Sequence, residues 1–161
     1  MLFEGLGFTK IDNIYDYISN GKIFAKLHNY LHSFSSLGLC RFVVQRMNAL
    51  AWPEFLKVIT GKVYTLEDLE WIGGRIAIYR QMFNIREGVN CDKIQIPKRL
   101  FGCPPLDDGP LKGISVNIKP FLEEYYKNQG WDPETGIPTV ERLKEVGLEN
   151  LIFDLHHLLR K

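Results

Sequence analysis

The stretch Tyr64–Gly88, YTLEDLEWIGGRIAIYRQMFNIREG, contains the strongest helical pattern of the chain. Thr65 is a suitable N-cap, and Asp68 follows three residues later, as in a capping box. Gly73 and Gly74 lower helix propensity in the middle of the stretch, so we interpret the pair as a point where another helix approaches closely. Apolar residues recur at helical spacing and predict one core-facing stripe, made of Leu69, Ile72, Ile76, Tyr79, Met82 and Phe83.

The segments on both sides of this predicted helix also have helical periodicity. DNIYDYISNG predicts a short helix that begins at the cap Asp12 and ends at Gly21, and KIFAKLHNYLHSF predicts a separate helix after it. WPEFLKVITGK predicts a helix between Pro53 and Gly61. Further helices are predicted in NIKPFLEEYYKNQG, TVERLKEVG and ENLIFDLHHLLRK. No stretch alternates as a strand does, so the expected fold class is all-α.

One long segment interrupts the helices. From Gly88 to Gly113 the chain reads GVNCDKIQIPKRLFGCPPLDDGPLKG, with four prolines and several glycines. Such a composition excludes a helix or strand of appreciable length. The sequence therefore predicts an irregular multi-helical domain with one long Pro/Gly-rich loop.

Composition limits the classes of function. The chain has 161 residues, 45% of them apolar, which suffices for one domain with a core. A net charge of +1 gives no support for a nucleic-acid partner. No apolar run is long enough for a membrane span, and the N-terminus lacks the features of a signal peptide, so we expect a cytoplasmic protein. Three irregularly spaced cysteines argue against a disulfide framework, and we interpret Cys91 and Cys103 as small buried side chains.

Two features could carry chemistry. SSLGLCRF, Ser35–Phe42, places the lone Cys40 just after a helix break at Gly38. His28 and His32 are four residues apart and could share a metal ion, but the glutamate and third ligand of a zinc motif are missing. A solvated or half-buried helix face is the favoured interpretation of this pair.

Seven blocks of sequence occur in a characteristic order. They are SSLGLCRFV (35–43), FLKVITG (55–61), YTLEDLEWIGGRI (64–76), MFNIREG (82–88), IPKRLF (96–101), DDGPLKG (107–113) and LEEYYKNQGWDPETGIPTVERLKEVGL (122–148). With these blocks the chain resembles the C-terminal, all-helical part of the tungsten-containing aldehyde:ferredoxin oxidoreductases, helical domains 2 and 3. The resemblance divides the chain into a poorly matched segment, 1–20, a helical domain, 21–148, and a C-terminal helix, 149–161.

The resemblance implies a tungsten bis-molybdopterin cofactor, a [4Fe-4S] cluster, and oxidation of aldehydes to carboxylates with electrons passed to ferredoxin. The family motif DxxGLCx, which holds the fourth cluster cysteine and contacts a pterin, is matched by SSLGLCR. Cys40 is thereby implied as the fourth cluster ligand, and Leu39 and Ser35 as pterin-contacting positions. Ser35 stands where the family has aspartate, and its hydroxyl lacks the charge that strengthens such hydrogen bonds. The other three cluster cysteines, in a CxxCxxxC, lie upstream of this region in the family.

Three hypotheses follow. In the first, the chain is the C-terminal part of such an oxidoreductase, inactive and free of cofactors alone, and it completes the site when joined to the missing N-terminal part. In the alternative, it is a stand-alone, non-catalytic helical binding or structural module, whose apolar surface is covered by formation of a homo-oligomer. In the third, it is an isolated enzyme that binds another metal through the histidines or cysteines.

Overall fold

The computed structural model describes residues 6, 13, 15–46, 48–89 and 96–153. Within these residues the regular elements are helices, which confirms the predicted all-α class. The same residues contain two isolated β-bridges and no strand. The α-helices are α1 Tyr17–Ser36, α2 Arg41–Arg46, α3 Ala51–Thr60, α4 Leu66–Arg86, α5 Lys119–Gln129 and α6 Val140–Glu145. Short 3-10 helices cover Lys98–Phe101 and Glu149–Leu151.

Helix α1 replaces the two helices predicted on either side of Gly21. The side chain of Asp16 caps it by accepting a hydrogen bond from the Ser19 backbone N–H. Gly21 lies inside the helix and is buried, so its predicted role as a terminator is wrong. A Cβ atom at Gly21 would lie 2.6 Å from the carbonyl oxygen of Phe121. Glycine is needed there because α5 packs closely against α1.

Helix α4 begins as the sequence predicts. The Thr65 backbone N–H donates to Asp68 Oδ2 over 2.8 Å, and the Asp68 backbone N–H donates to Thr65 Oγ1 over 3.1 Å. These two reciprocal bonds form the predicted capping box. The preceding helix, α3, ends at Gly61, whose φ of 70° is left-handed.

The close approach predicted at the glycine pair of α4 is confirmed. Helix α1 packs mainly against α4 and α5. A Cβ atom at Gly73 would lie only 1.7 Å from the carbonyl oxygen of Asn29 in α1. Asn29 is itself buried, and its side-chain oxygen accepts a 2.9 Å hydrogen bond from Nε2 of buried Gln129. A polar contact thus joins α1 to α5 beside the point where α1 crosses α4.

The apolar stripe predicted for α4 is buried only in part: Leu69 and Met82 lie in the core as predicted. Tyr79 is 47% exposed and Phe83 is 55% exposed, so their assignment to the core is wrong. The buried face instead consists of Leu69, Gly73, Gly74, Ala77, Ile78 and Met82. The core contact passes through the glycines because the carbonyl of Asn29 needs the space there.

The buried apolar residues form two clusters, and α1 and α4 contribute to both. The first cluster contains Ala25, Ala77, Ile78, Met82, Tyr125, Trp131, Leu143, Val146, Leu148 and Leu151. The second cluster contains Leu6, Tyr30, Phe34, Val44, Ala49, Trp52 and Leu69. Because α1 and α4 run through both clusters, they connect α2 and α3 to α5 and α6.

Two further predictions concern the second half of the chain. Cys103 is exposed, so its interpretation as a buried side chain is wrong, whereas Cys91 lies outside the described residues. Of the predicted C-terminal helix, 149–161, the residues from 154 onward also lie outside them. In the part of the chain that the structure describes, no helix combines the length and apolar character of a membrane span.

Candidate functional site

The three residues that the family motif singles out lie at the end of α1, which contains Ser35, and in the turn to α2, which contains Leu39 and Cys40. Gly38 has a φ of 74°, and its N–H donates to the Ser35 carbonyl over 3.1 Å. The Leu39 N–H donates to the Phe34 carbonyl over 3.3 Å. This pair of bonds is a Schellman motif, which requires a left-handed residue where Gly38 stands. The glycine therefore ends α1 and sets the direction in which the next two residues leave it.

Leu39 anchors this turn to the core. Its half-buried side chain packs against the second cluster, to which Phe34 belongs. An apolar contact between these two positions commonly accompanies the Schellman motif. The role that the structure shows for the Leu39 side chain is thus in packing, and its N–H is already used within the turn.

Cys40 has a different environment. Its thiol is free and exposed, and its carbonyl accepts a 3.1 Å hydrogen bond from the Val44 N–H, so it immediately precedes α2. The next two residues, Phe42 and Val43, are 79% and 52% exposed. The thiol therefore lies at the surface beside apolar side chains, where a second polypeptide could reach it.

The Ser35 hydroxyl is used by its own helix. It donates a 2.8 Å hydrogen bond to the carbonyl of Leu31, one turn earlier in α1. A hydroxyl has a single hydrogen to donate, so this oxygen retains only uncharged acceptor capacity. An aspartate at this position could accept two charge-assisted bonds instead.

The contacts of Ser35, Leu39 and Cys40 bear on whether this region could help to hold the iron-sulfur cluster or the pterin that the family resemblance implies. The described residues contain no group of three or more histidine, cysteine or acidic side chains that could hold a metal ion. The exposed Cys40 thiol fits one ligand position of a shared metal cluster. The Ser35 hydroxyl could only accept hydrogen bonds from a pterin, because its hydrogen is donated to its own helix, and the half-buried Leu39 side chain packs partly against the core.

The histidine pair belongs to a separate polar network. Nε2 of His28 and Nε2 of His32 lie 2.9 Å apart, and both rings are half-buried. The Tyr125 hydroxyl lies 2.8 Å from His28 Nδ1, and Arg80 Nη1 lies 3.4 Å from His32 Nδ1. Burial, followed by the nearby Arg80 charge, lowers the pKa of His32. The sequence offered no signal for Tyr125 or Arg80, which come from other helices.

A cavity of about 240 Å³ lies between α1, α4 and α5. Its lining residues are Lys22, Ala25, Lys26, Asn29, Glu70 and Asn128, none of which belongs to the Ser35–Cys40 turn. Within it Lys26 Nζ lies 3.7 Å from Glu70 Oε2. Burial raises the pKa of Glu70, and Lys26 opposes part of that shift. The arrangement is an ion pair in a partly buried setting.

Comparison with known proteins gives consistent matches. The family model described as aldehyde ferredoxin oxidoreductase, domains 2 & 3, matches residues 3–148, which includes the predicted domain 21–148 and part of the preceding segment. A tungsten-containing aldehyde ferredoxin oxidoreductase from Pyrococcus abyssi is 38% identical over 116 residues, covering 71% of this chain and 19% of that protein.

Two further relatives agree. The enzyme of the same name from Pyrococcus furiosus is 35% identical over 114 residues, 70% of this chain and 18% of its own length. That from Thermococcus kodakarensis is 33% identical over 116 residues, 71% of this chain and 19% of its own length. The chain therefore spans about a fifth of the length of these curated relatives.

Proposed function

Because this chain belongs to the aldehyde ferredoxin oxidoreductase family, in the region of domains 2 and 3, we propose that it is the C-terminal part of a cytoplasmic tungsten and iron-sulfur enzyme. It acts together with the remaining four fifths that its relatives carry. The assembled enzyme oxidises an aldehyde to a carboxylate and passes the electrons to ferredoxin. Alone, the chain is inactive.

The observation that carries this proposal is the position of Cys40. It is a free, exposed thiol directly after a turn that the family match includes. A [4Fe-4S] cluster takes four cysteine thiolates, and the described residues offer no group of three metal-binding side chains. We therefore assign Cys40 as one ligand of a cluster whose other three ligands come from the remaining part of the enzyme. A cluster bound there would supply electron transfer.

The residues around Cys40 hold its backbone in place. Gly38 fixes the exit from α1, Leu39 anchors the turn on the second cluster, and the Cys40 carbonyl starts α2. Phe42 and Val43 add exposed apolar surface beside the thiol. Apolar groups around a metal site limit the access of solvent and tune its potential. In the assembly, these side chains exclude water from the thiolate.

A pterin contact at Ser35 would use only the acceptor capacity of its hydroxyl, and one at Leu39 would use the part of its side chain that the core leaves exposed.

The test is to co-express the chain anaerobically with the remaining part of an aldehyde ferredoxin oxidoreductase from the same organism. We expect the purified assembly to contain iron, acid-labile sulfide and aldehyde-dependent reductase activity, and Cys40→Ser to lose most of the iron and activity. Cys103→Ser is the matched control, because Cys103 is also exposed and free. Unchanged iron in the Cys40→Ser assembly, or a failure of the wild-type parts to associate, would contradict the proposal.

A stand-alone, non-catalytic module is the second candidate. The hydrogen bond from the Ser35 hydroxyl to the Leu31 carbonyl favours this second candidate. Serine at this position cannot accept the charge-assisted hydrogen bonds that an aspartate would accept. The two candidates differ in the state of the native protein. Purification from its own cells under anaerobic conditions would yield a chain free of iron, tungsten and any oxidoreductase partner if the module hypothesis holds.

A further inference from the structure

Helix α4 is apolar on two sides. Opposite the buried face, a second face is formed by Trp71, Ile72, Arg75, Ile76, Tyr79 and Phe83, which we call the outer face. At about 100° per residue, these positions fall within an arc of about 140°. Trp71, Tyr79 and Phe83 are 44%, 47% and 55% exposed. A surface helix needs a single apolar stripe, whereas apolar character on two sides is typical of a helix that is covered on both.

Two of the three aromatic rings of the outer face are paired with arginines. The guanidinium carbon of Arg75 lies 4.7 Å from the centre of the Trp71 ring, and that of Arg86 lies 5.0 Å from the centre of the Phe83 ring. Tryptophan, tyrosine and arginine are the residues most enriched among those that dominate binding energy in protein interfaces. Stacking holds these long side chains in place, so less entropy is lost when a partner covers them.

We propose that the outer face of α4 is the docking surface for the remaining part of the aldehyde ferredoxin oxidoreductase, an inference that rests on the proposed function. The matched family model covers domains 2 and 3, and about four fifths of each relative lies outside the matched residues. The relatives therefore carry a large polypeptide that can cover this face.

Charge favours that occupant over a second copy of this chain. The outer face carries the charge of Arg75, and Arg86 lies beside Phe83, where it also pairs with Glu87 over 3.0 Å. Two copies of the face packed together would bring arginines near arginines, which is unfavourable at an interface. The complementary surface is apolar and carries a carboxylate or a further aromatic ring to meet Arg75, whereas Arg86 already pairs with Glu87.

The test compares two neighbouring substitutions that add the same charge to the same helix. Phe83→Glu lies on the outer face, whereas Asn84→Glu is exposed on a different side, about 100° away. Association with the remaining part is measured by anaerobic titration calorimetry, and folding of each variant is checked by circular dichroism. We expect Phe83→Glu to weaken association about 30-fold, as for a residue that dominates an interface, and Asn84→Glu to change it less than about threefold.

Three results would overturn this inference, and they are distinguishable. If both variants bind like the wild type, the docking surface lies elsewhere and the proposed function stands. If the wild-type chain does not bind the remaining part, both proposals fail. If light scattering shows a dimer of this chain that Phe83→Glu dissociates, the occupant is a second copy.

Discussion

The two adjacent glycines of α4 have very different surroundings. A Cβ atom at Gly73 would meet the Asn29 backbone at 1.7 Å, whereas one at Gly74 would lie 3.5 Å from its nearest neighbours, both side-chain nitrogens. We expect Gly73→Ala to lower the free energy of unfolding by about 3 kcal/mol or more, because a backbone carbonyl must move. Gly74→Ala should gain up to about 1 kcal/mol from helix propensity. Urea denaturation of both variants tests this, and similar effects would contradict it.

The lowered pKa of His32 predicts a pH dependence of stability. Burial and Arg80 disfavour the protonated ring in the folded state. The unfolded chain therefore binds this proton at a higher pH, near 6.5. Stability contributed by the neutral ring is complete above that pH and is lost as pH falls toward the folded-state pKa. The ring faces His28 on its own helix and Arg80 on α4.

We expect the free energy of unfolding to fall as the pH is lowered through about 6.5 and below. The decline should be shallower in His32→Gln, which removes this titration while keeping a polar side chain. Urea denaturation at a series of pH values measures both slopes. Equal slopes in the two proteins would show that other groups cause the pH dependence.

At the scale of single elements, the start of α4 depends on its cap. Thr65→Ala removes the hydroxyl that accepts from the Asp68 N–H, and such losses cost about 1 kcal/mol. Thr65→Ser keeps the hydroxyl and should remain within about 0.5 kcal/mol of the wild type. Thermal and urea denaturation of the three proteins make the comparison. An equal loss in Thr65→Ser would mean that the methyl group, and not the cap, carries the effect.

The helix boundaries that the sequence predicts well are those decided by neighbours in the chain. Thr65 and Asp68 lie three residues apart, and Gly61 ends its helix through its own φ. The prediction for Gly21 is wrong because the backbone of Phe121, far away in the sequence, leaves no room for a side chain at this position. Local signals do not distinguish a glycine that ends a helix from one that admits a neighbour.

Local sequence signals also fail to show which face of a helix is buried and how the candidate site is exposed. Periodicity shows that α4 is a helix, but it does not say which of two apolar faces, through Ala77 or through Tyr79, meets α1. The family resemblance singled out Cys40 but could not show that its thiol is exposed. Tyr125 joins the histidine network from 97 residues beyond His28, and only the packed structure reveals such a partner.

For the molecule as a whole, α1 and α4 join the two apolar clusters into one unit. Trp131 belongs to the first cluster and Trp52 to the second. Because the two helices contribute to both clusters, we expect the chain to unfold in a single cooperative transition. A double variant with Trp71 and Trp131 replaced by Phe leaves Trp52 as the single tryptophan, whose fluorescence is excited selectively. Replacement of Trp52 and Trp71 leaves only Trp131.

In each double variant, the fluorescence and far-ultraviolet circular dichroism midpoints should coincide in urea. A tryptophan signal that changes at a lower urea concentration than helicity would show that one cluster unfolds independently of the other.

The crossing of α1 and α4 also restricts how the gene can change. Every amino acid except glycine carries a Cβ atom, so every non-synonymous mutation of codon 73 places an atom on the Asn29 carbonyl. That carbonyl belongs to the main chain, which all residues share, so no replacement at position 29 can make room for it. In a library selected for folded protein, glycine should be far more enriched at position 73 than at position 74, without second-site suppressors at position 29, while position 74 also accepts alanine.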